Sequence, residues 1–311
     1  MLSILGMAAF LPQNSLADYK QAVAYYSQQR YDKAIQELKP DLDLNPDWEF
    51  GHRLMGLCYL SLKNNALAIS SLTRAVQLKS KEFSTYQGLG QAYFNMQKFD
   101  NCIQILGQGE QFAKEGADRY KLLHLRGSAY YRLEKFNEAA NDLTAAIKVQ
   151  SSDWTDFSQL GIAYYNLNRY DEAIQALLKA LAMKPGQNAT SEFLGKSYFK
   201  KGVAALAAKQ YDQSIDMLRK ARESNPKDGF VYYNMAEAHL FQKNYVEAEK
   251  ALNQALDLMP RSAEVFQRMG LVYEKQKKWD LSLNAYQKAN ELKSTPGLTE
   301  AIARVQELKK R

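Results

Sequence analysis

Large aromatic residues return along this chain at a nearly fixed interval. Tyr31, Phe99, Phe136, Tyr170, Tyr211, Tyr245 and Trp279 share one phase, with Asn65 taking the place once. Successive intervals are 34, 34, 37, 34, 41, 34 and 34 residues. A small residue stands nine positions ahead of each: Ala22, Gly56, Gly90, Gly127, Gly161, Gly202, Ala236 and Gly270. Three residues after it come Tyr25, Tyr59, Tyr93, Tyr130, Tyr164, then Ala205, His239 and Tyr273. A second small position reads Ala34, Ala68, Cys102, Ala139, Ala173, Ser214, Ala248 and Ser282. Residues in equal phase do the same packing job in each unit, so the period dictates an array of like modules rather than one globular core.

Within a module the pattern is helical. "WTDFSQLGIAYYNLNRYDEAIQALLKALAMKPGQ", residues 154–187, keeps a period near 3.6 and has no strand-like alternation. Two antiparallel helices of this kind cannot bury their apolar faces alone and must stack on neighbours. Gly or Ala in the first helix and Ala in the second let the pair approach closely, and Tyr or Phe fills the seam to the next unit. Pro46, Pro185, Pro226 and Pro260 end four units, because proline lacks a donor and restricts the residue before it.

The anchors Phe157, Leu160, Gly161, Tyr164, Tyr170, Ala173, Leu177, Ala180 and Pro185 resemble the tetratricopeptide repeat, with Phe for its Trp and Leu for its Phe. The resemblance runs from about Ser15 to Pro296. It implies an all-α fold, a right-handed α-solenoid of about eight helix pairs at 15–48, 49–82, 83–116, 120–153, 154–187, 188–228, 229–262 and 263–296. Residues 297–311 then read as a capping helix: Leu298, Ile302, Val305 and Leu308 cover the last pair, while Glu300, Arg304, Glu307 and Lys309 to Arg311 face water.

The interval of 41 is 34 plus seven, and the stretch concerned, "FLGKSYFKKGVAALAAKQYDQS", carries two glycines seven apart, Gly195 and Gly202. Seven residues are almost two helical turns and drift a face by only about 20°. The spacing therefore predicts one longer first helix, by about 10 Å, with both glycines toward the partner helix. Two readings stand: an insertion covered locally, or one whose Phe199, Lys200 and Lys201 project past the regular ridge to make a contact.

By the resemblance, the first helices line a concave peptide-binding groove. The side chains expected there are Tyr26, Arg53, Gln87, Gln91, Phe94, His124, Tyr131, Tyr165, Phe199, Tyr233 and Phe241, joined by Leu60, Ser158 and Leu240. In the paired tyrosines at 25–26, 130–131 and 164–165, the first is expected to pack inside and the second to look outward. Aromatics with amides and few charges suit an extended or helical peptide with apolar anchors. The pairs Tyr19 with Val23, Arg53 with Leu57, Gln87 with Gln91 and His124 with Ser128 lack the Lys and Asn of repeats that clamp a chaperone's terminal carboxylate.

Composition narrows the classes. Residues 1–153 carry 17 Lys+Arg against 16 Asp+Glu and residues 154–311 carry 24 against 18, a mild excess far from a nucleic-acid footprint. No nucleic-acid partner and no small-molecule substrate is expected. Cys58 and Cys102 fall at helical packing positions and read as buried small hydrophobes. His52, His124 and His239 sit at unrelated positions, without a metal-ligand motif, a phosphate loop or a nucleophile motif. The reading is thus a binding protein without catalytic, cofactor-binding or metal residues.

The start, "MLSILGMAAFLPQNSLADYK", has an apolar run from Leu2 to Leu11, Pro12, and Ser15 and Ala17 ahead of Asp18. Residues 1–17 fit either a secretory signal peptide that lacks the basic n-region or an apolar N-terminus. The first places the protein in the periplasm or outside the cell, the second in the cytoplasm. The run is too short to span a bilayer, so membrane association is expected only through partners or an uncleaved N-terminus.

Overall fold

The computed structural model describes residues 15–150 and 152–310. The N-terminal run through residue 14 lies outside the described residues, and with it most of the signal-peptide segment. Every long element described is an α-helix, and the eight aromatic-phase residues are the first residues of eight second helices. The helices pair in sequence as α1 (Ser15–Ser27) and α2 (Tyr31–Leu44), α3 (Glu49–Ser61) and α4 (Asn65–Gln77), α5 (Phe83–Asn95) and α6 (Phe99–Gly109). A 3-10 turn, Glu110–Phe112, precedes α7 (Ala117–Arg132) and α8 (Phe136–Val149). There follow α9 (Trp154–Asn166) and α10 (Tyr170–Met183), α11 (Asn188–Ala207) and α12 (Tyr211–Ser224), α13 (Gly229–Phe241) and α14 (Tyr245–Leu258), α15 (Ala263–Lys275) and α16 (Trp279–Leu292), and finally α17 (Pro296–Lys310). Among the described residues the fold is the all-α array of helix pairs that the period predicts.

The chain divides into two compact units, Met1–Ala163 and Tyr164–Arg311. In the first, a Cβ placed on Gly56 would meet Leu72 at 2.5 Å, on Gly90 Leu106 at 2.9 Å, and on Gly127 Leu143 at 3.0 Å. In the second, Gly202 stands the same way against Leu218 at 2.7 Å and Gly270 against Tyr286 at 2.6 Å. The facing residue is always the eighth of the second helix, and Leu38, Leu72, Leu106, Leu143, Leu177, Leu218 and Leu252 are fully buried there. Small residue against leucine is the repeated lock.

Each turn inside a pair is closed alike. Gln29, Lys63, Gln97, Glu134, Asn168, Lys209, Lys243 and Lys277 take a left-handed conformation with φ between 57° and 62°. The next residue's N–H then bonds the carbonyl of the seam position, as in Arg30 N–H to Tyr25 O at 2.8 Å and Lys278 N–H to Tyr273 O at 2.9 Å. This six-residue closure uses up orphan carbonyls at the helix end. None of the eight is glycine, so each unit carries a small backbone strain in exchange for a polar side chain at the turn.

α11 is 20 residues long, against 13 for α9, α13 and α15. A Cβ on Gly195 would meet Ser224 at 2.9 Å, near the end of α12, as one on Gly202 meets Leu218. Both glycines face the partner helix, as the seven-residue spacing predicts. At the end of the array α17 buries Leu298, Ala301 and Val305 against Tyr286 and Ala289, which makes it the expected cap. Cys58 and Cys102 are free and buried, and burial pushes both thiols up to about 12.

Candidate functional site

The side chains expected on the first-helix face are placed less freely than the sequence implies. Tyr26, Phe94, Tyr131 and Tyr165 are half-buried. Each packs its ring at an angle on the aromatic that opens its own second helix: Tyr31, Phe99, Phe136 and Tyr170, at centroid distances of 5.6, 5.3, 6.4 and 5.8 Å. Burial accordingly raises the Tyr26 and Tyr131 hydroxyls above the usual phenol value. The second tyrosine of each pair therefore does not simply look outward. It bridges the two helices near the turn and offers an edge.

In the first unit the face is polar and cross-braced. Arg53 lies over the Phe50 ring at 4.8 Å and pairs with Glu49 at 3.3 Å. Gln87 is half-buried. Gln91 donates to Asn95 at 2.9 Å, and Asn95 donates onward to Asn65 at 3.0 Å. His124 Nδ1 and Asp156 Oδ1 are 2.6 Å apart, and Tyr120 OH donates to Asp156 Oδ2 at 3.0 Å. The bond to Asp156 holds the imidazole above its usual value against the pull of burial, with Asp156 and Asp153 charge adding to it. Burial first, then Asp156, pushes the Tyr120 hydroxyl up. Ser128, one turn along α7, donates to Gln159 at 2.9 Å. Beside it Arg126 forks onto Asp142 at 2.6 and 2.9 Å and reaches Glu110 at 2.7 Å, where Arg119 also pairs.

In the second unit the face is apolar. At 100° per residue, Phe230, Tyr233, Glu237, Leu240 and Phe241 share one side of α13. Phe230 and Phe241 are 63% and 55% exposed, and Phe241 stacks on Tyr211 at 5.5 Å. Glu237 is buried, and its carboxyl is pushed up by burial although Arg268 sits 2.8 Å away. Arg268 also donates to the Tyr233 hydroxyl at 3.3 Å. Phe199 is half-buried against the core around Leu218 and Val231. Lys201 does not project: it is paired with Asp171, because the overhang of α11 falls at residues 188–194 instead. Lys200 is exposed.

The structure thus gathers Tyr120, His124, Ser128, Asp156 and Gln159 at one junction, and Tyr233, Glu237 and Arg268 at another. Sequence reasoning named His124 and Tyr233 only. Nothing local in the sequence marks Asp156 as the partner of His124, 32 residues earlier, or Arg268 as the partner of Glu237.

Helix pairs packed one on the next in sequence, among the described residues, define a helical-repeat scaffold. Tetratricopeptide repeat models match residues 16–39, 54–82, 124–188 and 205–291, together more than half of the chain, which belongs to the tetratricopeptide repeat family. Among solved structures, the C-terminal part of a TPR repeat-containing protein from Cytophaga hutchinsonii is 14% identical, with a TM-score of 0.50 over 91% of this chain and 99% of that one. YrrB, described as a TPR protein with an unusual peptide-binding site, is 18% identical, TM-score 0.49, over 62% and 94%. MamA from Desulfovibrio magneticus RS-1 is 23% identical, TM-score 0.40, over 58% and 97%. Such identities speak to the fold alone. No curated protein matches.

Proposed function

We propose that this chain is a non-enzymatic scaffold that takes a peptide or protein segment on its first-helix face. The observation that carries the reading is α13, where Phe230 and Phe241, both more than half exposed, flank Tyr233 and Leu240 on one side of a single helix. Exposed aromatic anchors of this kind supply most of the energy when an apolar segment docks. A Phe230→Ala, Phe241→Ala double variant tests it. Both rings are largely solvated, so helix content and melting hold, while capture of a partner identified by affinity purification falls at least tenfold. Undiminished capture sends the search to another face.

The setting we propose is the bacterial envelope, in assembly or secretion, after export. The support is the apolar run Leu2–Leu11 with Pro12 and the small residues before Asp18. N-terminal sequencing of the mature protein checks this: a start at Asp18 supports export, and an intact Met1 opposes it. A cytoplasmic adaptor or secretion chaperone is the second reading, for which an intact Met1 in that experiment would speak.

A further inference from the structure

We propose that His124, Asp153 and Asp156 form a site for one divalent first-row transition ion, held between α7 and the start of α9. Their candidate ligand atoms all lie within 4.8 Å of one another. An ion bound at about 2.0–2.2 Å from imidazole nitrogen and carboxylate oxygen requires ligand atoms roughly 3–4 Å apart. Only small side-chain rotations separate the present arrangement from that one. His124 Nδ1 and Asp156 Oδ1, now 2.6 Å apart, must open by a few tenths of an ångström.

The site is built from rigid parts. Asp156 lies in the first turn of α9 and Asp153 immediately precedes that helix, where Thr155 ties it to the first turn. His124 stands mid-way along α7, and its helix fixes the backbone from which the imidazole reaches across. Both carboxylates are oriented by groups that are not themselves ligands. Tyr120 OH donates to Asp156 Oδ2 at 3.0 Å, and Thr155 donates its N–H and its hydroxyl to Asp153 Oδ1 at 2.9 and 2.7 Å. Such outer-shell bonds are the usual support of a metal ligand. Each carboxylate keeps a second oxygen beyond these bonds, and one oxygen of each lies in the cluster with the imidazole.

Burial gives the second, independent argument. The Asp156 side chain is 1% exposed, and its ionic partner is an imidazole rather than a guanidinium or ammonium. Its bonds are to His124 and to the Tyr120 hydroxyl, and a carboxylate enclosed this far is one that proteins either pair or place on a metal. The other buried acidic pairs differ. Asp142 has Arg126 and Glu237 has Arg268, permanent cations that compete with any ion. Imidazole with carboxylates suits zinc, manganese, cobalt or nickel, not the all-oxygen preference of calcium.

The test titrates the full chain with ZnCl2 by calorimetry in a non-chelating buffer, and repeats it with Co2+ while following visible absorption. The expected result is one saturable site with cobalt bands of a nitrogen- and oxygen-ligated ion. Asp153→Asn, which keeps the cap on Thr155, and His124→Gln should each weaken binding at least tenfold with the metal-free melting curve preserved for Asp153→Asn. His52→Gln should leave binding unchanged. Absence of saturable binding by either ion, or an affinity that neither Asp153→Asn nor His124→Gln lowers, overturns the site. Peptide capture by α13 is measured without metal, so failure here leaves that reading standing, and the reverse.

Discussion

At the residue scale, the seam position shows what a single side chain contributes. Six of eight units place tyrosine there, and His239 replaces it in the seventh. Its Nδ1 is buried without a hydrogen-bond partner, and burial lowers the imidazole below its usual value, with Glu247 opposing and Arg219 assisting. The unfolded chain therefore binds a proton first. The stability His239 permits is full above its unfolded value and declines as pH falls through that value toward the lower folded one. His239→Tyr should raise the urea midpoint and flatten its decline from pH 7 to pH 5. An unchanged acid slope in the variant would remove histidine as its cause. The left-handed turn residues make a complementary case. Lys243→Gly should stabilise by up to about 1 kcal/mol, the backbone penalty less the added chain entropy of glycine. Lys243→Val should destabilise, and equilibrium urea curves at one pH suffice to compare the two. Gly202→Val, by contrast, drives a branched side chain into Leu218 and should cost about 1–3 kcal/mol by the same measurement.

At the element scale, α11 is read in two frames seven residues apart. Counted from Asn188, Leu194, Gly195 and Tyr198 hold the anchor phase, and Lys201 reaches Asp171, 30 residues earlier, as Gln242 reaches Asp212, also 30 earlier. Counted from Gly195, Gly202 meets Leu218 and Ala205 holds the seam phase. In both frames the glycine meets α12, Gly195 at Ser224 and Gly202 at Leu218, while Lys201 of the first frame also reaches α10. Deleting 195–201 merges the frames and restores the 34-residue spacing. That variant should fold cooperatively, with circular dichroism reduced in proportion to seven helical residues. Deleting only 195–197 turns the face by about 60° and should abolish cooperative melting. If both deletions behave alike, the two-frame account is wrong.

At the scale of the whole molecule, stability is assembled from neighbouring contacts, since each helix pair in such an array packs on the pairs next to it. α17 is where this is easiest to see: it covers Tyr286 and Ala289 of α16. Truncation after Leu292 should unfold α15 and α16 first, seen as early amide exchange confined to residues 263–292 and as new dye-binding apolar surface. Protection unaltered in those helices would mean the cap adds nothing.

The sequence alone determined the period, the helix starts at the aromatic beat, the small residue at the close approach and the long α11, because each follows from residue size at a fixed phase, while the leucine that faces each glycine came from the structure. It also placed His124, Tyr233 and Phe241 on the first-helix face. It did not reveal that Tyr26, Phe94, Tyr131 and Tyr165 are half-covered by the rings opening their second helices, nor that Lys201 is tied to Asp171. It gave no sign that His124 meets Asp156 or that Glu237 meets Arg268. Phase fixes which face a side chain occupies. Which charge it finds there depends on how far one helix slides and rotates against the next, and only the packed backbone sets that register.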